Sequence, residues 1–350
     1  MSVGSRSAAG PGTAGRDVET VDYHTAGEPF RIVILGAPDL PGVSVADRRR
    51  LAIESDAAQR VRRLLCHEPR GHADMYGCFL VPPDDEGAQL GTLFWHRDGF
   101  STACGHGTIA LATWAVQSGM VDGDPDGATE VRIDVPSGRV TAVVARVEGV
   151  VRDVVFRNVP AFVLHRGVTV ATSLGEVTVD VSFGGAIYAS LPASRVDLAV
   201  EPDLIGPLTA IGREIKWAVQ NAGLAEHPED PLLSGCYGTI LFDDLGDSER
   251  GPHQRNVTVF ADGEVDRSPC GSGTSARMAL LAADGRVGDG RVLSHDSIIG
   301  TRFVAAVAAD VTVAGRPAVI TEVTGSAFRT GGHRFVLDSE DPLQDGFLLR

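Results

Sequence analysis

Several features are scarce or absent in this 350-residue sequence, and each absence narrows what the chain can be. No stretch of 18 consecutive apolar residues occurs, so no membrane-spanning helix is expected. Basic residues are the minority, with 31 Lys and Arg against 46 Asp and Glu, and the net charge of −15 argues against nucleic-acid or anionic-membrane partners. The five cysteines are too few and odd in number for a disulfide framework, so we expect reduced thiols.

The N-terminal segment lacks the apolar core of a signal peptide. Residues 1–16 are small, polar and rich in Gly and Pro, which predicts a disordered tail and a cytoplasmic protein. The rest of the chain is long and apolar enough for two domains with real cores.

One short pattern, C-G-x-G-T-x-A, occurs twice, beginning at Cys104 and again at Cys270. The two copies are separated by about half of the chain, which indicates a duplicated half-molecule with one cysteine in each half. We therefore predict a first half at 17–175 that is completed by 335–350, and a second half at 176–334.

Each half contains many short strands and one apolar helix, so the predicted fold class is α+β. The helices are predicted at 107–119 and at 273–285, and each is small and apolar nearly all round. A curved sheet wrapped around a central helix would bury such a helix on all sides. The strands beside the motifs look antiparallel, and residues 45–66 have the pattern of an amphipathic helix.

A cysteine in the first turn of a helix lies beside free N–H groups and the positive end of the helix dipole. That environment lowers a thiol pKa, and the glycine-rich first turn offers N–H groups to a carboxylate. Two such motifs suit the removal of a proton α to a carboxylate, with one thiolate as base and one thiol as acid. This chemistry requires neither a metal nor an organic cofactor.

Four further residues are candidates for the same site. His106 could orient a substrate or tune the Cys104 thiol, and Asp266 could accept a hydrogen bond from a substrate ammonium group. Tyr76 and Phe260 flank the motifs and could form walls of the pocket.

Other interpretations of the motifs remain open. Each cysteine alone could be structural, although packing gives little reason to repeat the whole pattern. The stretches GHGTIA and GSGTSA match a dinucleotide fingerprint, which would need a following parallel strand. Zinc bound by Cys104, His106 and Cys270 is a third possibility, but its spacing is unusual.

With these motifs the chain resembles the proline racemase family, which includes hydroxyproline epimerases and trans-3-hydroxyproline dehydratases. The stretches that carry the resemblance are HTAGEP (24–29), PRGHADMYG (69–77), STACGHGTIA (101–110), FGGAIYA (183–189) and DRSPCGSGTSARMA (266–279). The resemblance implies a diaminopimelate-epimerase-like fold of two pseudo-symmetric halves, with the active site in the cleft between them. It also implies cofactor independence, a small imino-acid substrate and a homodimer.

The matched positions imply a role for each motif residue. Cys104 and Cys270 resemble the acid/base pair of the family, and Asp266 resembles the partner of the substrate amino group. The residues that resemble carboxylate-binding pairs are Gly105, His106, Gly271 and Ser272.

The choice of reaction depends on Cys270, because the dehydratases of this family typically carry threonine there. Two cysteines favour a proline racemase or a 4-hydroxyproline 2-epimerase. Ala186, however, resembles the dehydratase branch, so a trans-3-hydroxy-L-proline dehydratase is the alternative. A non-catalytic imino-acid binding protein is a third hypothesis.

Overall fold

The structure is a computed structural model that describes residues 17–338 and 340–349. The predicted disordered tail at 1–16 lies outside the described residues. The strands are β1 (Val18–Thr25), β2 (Glu28–Leu35), β3 (Tyr76–Val81), β4 (Leu90–His96), β5 (Gly99–Phe100), β6 (Ala128–Val135), β7 (Gly138–Val147), β8 (Val150–Arg157), β9 (Ala161–Thr172), β10 (Gly175–Phe183), β11 (Ile187–Pro192), β12 (Cys236–Ser248), β13 (Gly251–Phe260), β14 (Glu264–Asp266), β15 (Leu293–Ser297), β16 (Arg302–Val313), β17 (Arg316–Gly325) and β18 (Ala327–Phe335). The α-helices are α1 (Val45–Glu54), α2 (Asp56–Cys66), α3 (Gly105–Gln117), α4 (Ile205–Asn221) and α5 (Gly271–Ala283).

The order of strand pairing is repeated in the two halves of the sheet. In the first half, β1–β2 is antiparallel, β2–β3 parallel, β3–β4 antiparallel and β4–β6 parallel, and β6–β7 and β7–β8 are antiparallel. The same sequence of directions runs through β10–β11, β11–β12, β12–β13, β13–β15, β15–β16 and β16–β17. The duplication seen in the motifs therefore extends to the whole topology, and the predicted α+β fold of two pseudo-symmetric halves is confirmed.

The strands that flank each central helix run parallel, so the expectation that they are antiparallel is wrong. β4 and β6 lie on either side of α3 in the chain, and β13 and β15 lie on either side of α5. The physical reason is that a helix crossing one face of a sheet returns the chain to its starting edge, which makes the two strands parallel.

Two strands are exchanged between the halves. β9 follows the first repeat but pairs with β10 and β17, and β18 follows the second repeat but pairs with β1. We propose on this basis that the first half comprises 17–157 and 327–349, and the second half 161–325. The division at residue 175 follows the repeat in the sequence, whereas the division proposed here follows the pairing of the strands.

The two central helices are buried along almost their whole length. α3 is buried from Gly105 to Val116 and α5 from Gly271 to Leu281, as their small apolar residues predict. Each helix is followed by a glycine with positive φ, 74° at Gly119 and 65° at Gly285, which allows the left-handed turn that ends a helix.

The helix predicted at 45–66 is two helices, α1 and α2. Ser55 ends the first and caps the second, because its hydroxyl accepts a hydrogen bond from the Ala58 N–H. Among the described helices none is both long and apolar enough to cross a membrane.

Candidate active site

Cys104 is the N-cap residue of α3. Its backbone is extended, with φ of −154°, and its Sγ accepts a hydrogen bond of 3.3 Å from the Gly107 N–H. The thiol therefore occupies the position at which a helix binds an anion, as the motif predicts.

Cys270 is the N-cap residue of α5 but adopts a different backbone conformation. Its φ is +63°, in a region that residues other than glycine rarely occupy. Its amide N–H donates to the Ser268 hydroxyl at 3.1 Å. Backbone strain of this kind is characteristic of functional positions, and it makes the two thiols geometrically inequivalent.

The first turns of α3 and α5 are in direct contact. A Cβ built on Gly105 would lie 2.5 Å from Gly271 Cα and 2.8 Å from Ser272 N, so only glycine permits this approach. The first-turn N–H groups of both helices, which have no acceptor within their own helix, therefore converge on one region. The glycines serve a contact between helices, which does not favour the dinucleotide interpretation.

Both thiols are buried, each with 5% of its surface exposed. Burial raises the pKa of Cys104 well above its usual value; the Gly107 N–H lowers it in part, and the Asp266 charge raises it. Burial also raises the pKa of Cys270, and Asp266 raises it further. The expectation that the helix N-termini hold these thiols at a lowered pKa is therefore wrong, because the loss of hydration outweighs the helix dipole.

His106 links the first thiol to Asp266. Its Nε2 lies 3.4 Å from Cys104 Sγ, and its Nδ1 lies 3.6 Å from Asp266 Oδ2. The other oxygen of Asp266 accepts hydrogen bonds from the N–H and the hydroxyl of Ser268, at 2.8 and 2.7 Å. The structure thus brings together Cys104, His106 and Asp266, three residues that the sequence proposed separately.

Aromatic rings line the same region. The ring of Tyr76 lies 5.0 Å from that of His106, beside the first motif, and 5.8 Å from that of Phe260, so the two predicted wall residues pack against each other. The Tyr76 hydroxyl forms a hydrogen bond of 2.9 Å with the hydroxyl of Tyr237, which sequence reasoning missed.

Tyr188 is a second missed residue, and its hydroxyl lies beside Cys270. It lies 3.8 Å from Cys270 Sγ and 2.7 Å from the Ser272 hydroxyl. Its stretch, FGGAIYA, was noted for family resemblance only, because nothing in a strand pattern tells which distant helix the tyrosine faces.

A cleft of about 320 Å³ runs between the two halves beside these tyrosines. Its lining includes Ser101 and Thr102 from the first half and Ala186 and Tyr237 from the second. The Ser101 hydroxyl is hydrogen-bonded to Tyr76 at 2.5 Å, and Tyr76 packs against His106, so the lining of the cleft is connected to the site.

Residues that could bind a metal ion form a separate group in this structure. Within the described part of the chain, the one set of three that lies close enough is His96, Asp98 and Glu264, with ligand atoms within 4.8 Å. Arg97 lies 3.1 Å from Asp98 and 3.9 Å from Glu264, so a guanidinium already supplies positive charge there. The zinc interpretation requires Cys104, His106 and Cys270 as ligands. These three do not form such a group among the described residues.

The chain is similar to proteins of one known family along almost its whole length. The family profile described as proline racemase matches residues 20–348. The 3-hydroxyproline 2-epimerase of Burkholderia multivorans is 44% identical over 339 residues, which cover 96% of this chain and 99% of the relative. The trans-3-hydroxy-L-proline dehydratase of Bacillus cereus is 40% identical over 330 residues, with coverage of 94% and 97%.

Solved structures show the same similarity. A hydroxyproline epimerase from Agrobacterium vitis, with trans-4-hydroxy-L-proline bound, superposes with a TM-score of 0.89 at 33% identity, and 96% of each chain is covered. A PhzF-family phenazine biosynthesis protein from Bacillus anthracis shares the fold alone, with a TM-score of 0.56 at 10% identity over 91% of this chain and 99% of the other.

The two pseudo-symmetric halves and the meeting of their central helices define the diaminopimelate-epimerase-like fold class, as predicted. Within that class the chain belongs to the proline racemase family. The prediction of an enzyme of this family is confirmed.

Proposed function

We propose that the protein is a cofactor-independent 3-hydroxyproline 2-epimerase that uses Cys104 and Cys270 as its two acid/base groups. The observation that carries the proposal is a thiol at the N-terminus of each of two helices whose first turns touch. In one direction a thiolate removes the proton from C2, and the opposite thiol donates a proton to the other face. In the reverse direction the two thiols exchange these roles.

The substrate carboxylate would bind to the N–H groups of Gly105, His106, Gly271 and Ser272. These groups favour the negative charge that develops as the C2 proton leaves, and such preorganised donors contribute about 3 kcal/mol each in other enzymes. Tyr76 and Phe260 would form the wall of the pocket around the ring.

The raised thiol pKa values are consistent with this mechanism. Asp266 raises the pKa of both Cys104 and Cys270. A substrate ammonium group beside Asp266 would cancel that charge and so favour formation of a thiolate. Thiolate formation would then be coupled to the arrival of the substrate.

The choice of 3-hydroxyproline rests on the relatives. The B. multivorans epimerase and the B. cereus dehydratase are both named for 3-hydroxyproline, at 44% and 40% identity. 4-Hydroxyproline and proline, the substrates expected from the sequence, stay candidates, and the A. vitis epimerase has trans-4-hydroxy-L-proline bound. The homodimer and the cytoplasmic location stay predictions.

The second candidate is a trans-3-hydroxy-L-proline dehydratase. The B. cereus relative carries that name. The resemblance of Ala186 to the dehydratase branch, noted in the sequence, favours the same candidate. In that reaction one thiolate would remove the C2 proton and hydroxide would leave from C3, so that a cyclic imine forms after tautomerisation.

Incubation in D2O separates these functions. With trans-3-hydroxy-L-proline, the epimerase should produce cis-3-hydroxy-D-proline that carries deuterium at C2. A coloured adduct with 2-aminobenzaldehyde would instead reveal the cyclic imine of the dehydratase. If neither deuterium nor product appears with proline or any hydroxyproline isomer, both enzymatic proposals are wrong and a binding protein remains.

A further inference from the structure

Glu28 is a fully buried carboxylate that sequence reasoning did not single out as a site residue. It begins β2, two residues before Phe30, so both side chains lie on the same face of the strand. Phe30 packs against the His106 ring at 5.8 Å, so this face is directed toward the first turn of α3. Thr25, at the end of β1, donates to the His106 carbonyl at 2.9 Å and holds the hairpin against the same turn.

The two oxygens of Glu28 have different surroundings. Oε2 accepts hydrogen bonds from the Arg267 N–H at 2.8 Å and from its guanidinium at 3.4 Å. Oε1 is buried but accepts no hydrogen bond from any residue that the structure describes. A buried acceptor without a donor costs free energy, which is a reason to expect a ligand.

Asp266 lies close enough to Glu28 to raise its pKa. Burial is the largest cause and raises the pKa of Glu28 well above its usual value, and the Asp266 charge raises it further. Arg267 lowers the pKa of Glu28 and Asp74 raises it. The Glu28 charge in turn raises the pKa of Cys104. Two carboxylates thus share one buried region, and the cationic side chain that lowers the pKa of Glu28 there is Arg267.

The substrates of the proposed function carry a secondary ammonium group, which has two N–H bonds and one positive charge. A primary amino acid has three N–H bonds, and a pyrrole nitrogen has one N–H bond and no charge. Asp266 was expected to accept one N–H bond. A site selective for secondary ammonium needs a second acceptor nearby.

We propose that Glu28 is that acceptor, so that Glu28 and Asp266 together bind the two N–H bonds of the imino acid. The inference rests on the proposed function for the class of substrate. It adds a substrate-binding residue and a reason for selectivity toward cyclic secondary amines. Because the cation allows both carboxylates to ionise, its binding should release a proton from Glu28.

Calorimetric binding of two ligands tests the assignment. L-Proline has a charged nitrogen with two N–H bonds, whereas pyrrole-2-carboxylate keeps the carboxylate but has a neutral nitrogen with one. Glu28→Gln should weaken L-proline binding by about 10-fold or more, as expected for a hydrogen bond between charged groups. It should change pyrrole-2-carboxylate binding by about 2-fold or less, since no charge–charge contact is lost.

Asp74→Asn is the matched control. Asp74 contacts the Arg267 guanidinium at 2.9 Å, as Glu28 does at 3.4 Å, so the variant also weakens the hold on Arg267. If Glu28 only positions the Arg267 loop, both variants should weaken both ligands alike, and the proposal is overturned. Melting temperatures establish that each variant is folded.

Proton release gives a second readout, which a merely structural role would not move. The enthalpy of L-proline binding to the unaltered protein should depend on the ionisation enthalpy of the buffer, and Glu28→Gln should reduce that dependence by the share of the proton that Glu28 releases. An unchanged dependence in Glu28→Gln overturns the assignment. Selective binding without turnover would overturn the epimerase proposal while supporting Glu28, and failure to bind either ligand would overturn both.

Discussion

Gly105 and Gly271 meet backbone to backbone at the centre of the molecule. A Cβ on Gly105 would lie 2.5 Å from Gly271 Cα, and a Cβ on Gly271 would lie 2.6 Å from Gly105 Cα. This contact places the two cysteines at the ends of touching helices, and it makes the size of these two residues a condition for the site.

We expect Gly105→Ala to lower the free energy of unfolding by about 1–3 kcal/mol, because neither backbone can move away without displacing a buried helix. The rate of epimerisation by this variant should also fall. Gly206→Ala is the control: nothing lies within 4 Å of a Cβ there, so the change in α4 should be neutral or stabilising by up to about 1 kcal/mol. Urea unfolding of both variants checks the prediction, which is wrong if Gly105→Ala is as stable as the unaltered protein.

Cys104→Ser and Cys270→Ser should each reduce the rate of inversion by about 100-fold or more. A serine hydroxyl ionises far less readily than a thiol, so it is a poorer proton donor and provides almost no anionic base at neutral pH. Cys66→Ser is the control, because Cys66 donates to the Arg62 carbonyl, a role that serine can also fill. Polarimetry measures the rates. Near-native inversion by either active-site variant would contradict the two-thiol mechanism.

The raised pKa of Glu28 predicts how stability depends on pH. The folded protein holds this proton more tightly than the unfolded chain, so the contribution is fully present below the usual value of 4.5 and is lost as pH rises through the folded-state pKa. Glu28→Gln removes that loss. The free energy of unfolding of the variant, relative to that of the unaltered protein, should therefore rise as the pH increases above about 4.5.

Denaturant unfolding across this pH range provides the measurement. Glu54→Gln changes an exposed glutamate, with 63% of its side chain accessible, and should show no such trend. A constant difference between Glu28→Gln and the unaltered protein at every pH would mean that Glu28 is ionised throughout.

Tyr188→Phe should affect the second thiol selectively. Burial raises the pKa of Cys270, and the Tyr188 hydroxyl offsets part of this increase. Removal of the hydroxyl should raise the pKa further and lower kcat/KM at pH 7 by about 2- to 10-fold, with the rising limb of the pH profile moved to higher pH. Tyr23→Phe is the control, because its hydroxyl binds Gln117 near the C-terminal end of α3. If the pH profiles of kcat/KM are the same for the two variants, Tyr188 does not influence the Cys270 thiol.

Much of this arrangement could be predicted from local patterns. The β1–β2 hairpin, the two buried helices and their terminal glycines follow from short-range signals, and the repeated motif indicated a shared site. Parallel pairing across the helices and the break at Ser55 were missed, because a helix crossover and a cap inside a continuous amphipathic pattern leave little trace in the sequence.

Tyr188 and Glu28 were missed for a different reason. Their roles depend on which distant element each strand faces, and period-two alternation gives the face of a strand without its neighbour. Glu28 did carry one usable signal. It shares a strand face with the apolar residues Phe30 and Ile32, and this alternation predicts a buried carboxylate at position 28. Phe30 and Ile32 are both fully buried in the structure.

The exchange of β9 and β18 has a consequence for the symmetry of the whole chain. Each half is closed by a strand that continues the other repeat, so the molecule corresponds to a strand-swapped dimer of half-molecules joined into one polypeptide. Gly105 and Gly271, which meet backbone to backbone, occupy corresponding positions in the two repeats, and so do the two cysteines. Corresponding groups from two such repeats can offer similar chemistry to opposite faces of one carbon atom, and the two configurations at that carbon differ only in the face that carries the hydrogen.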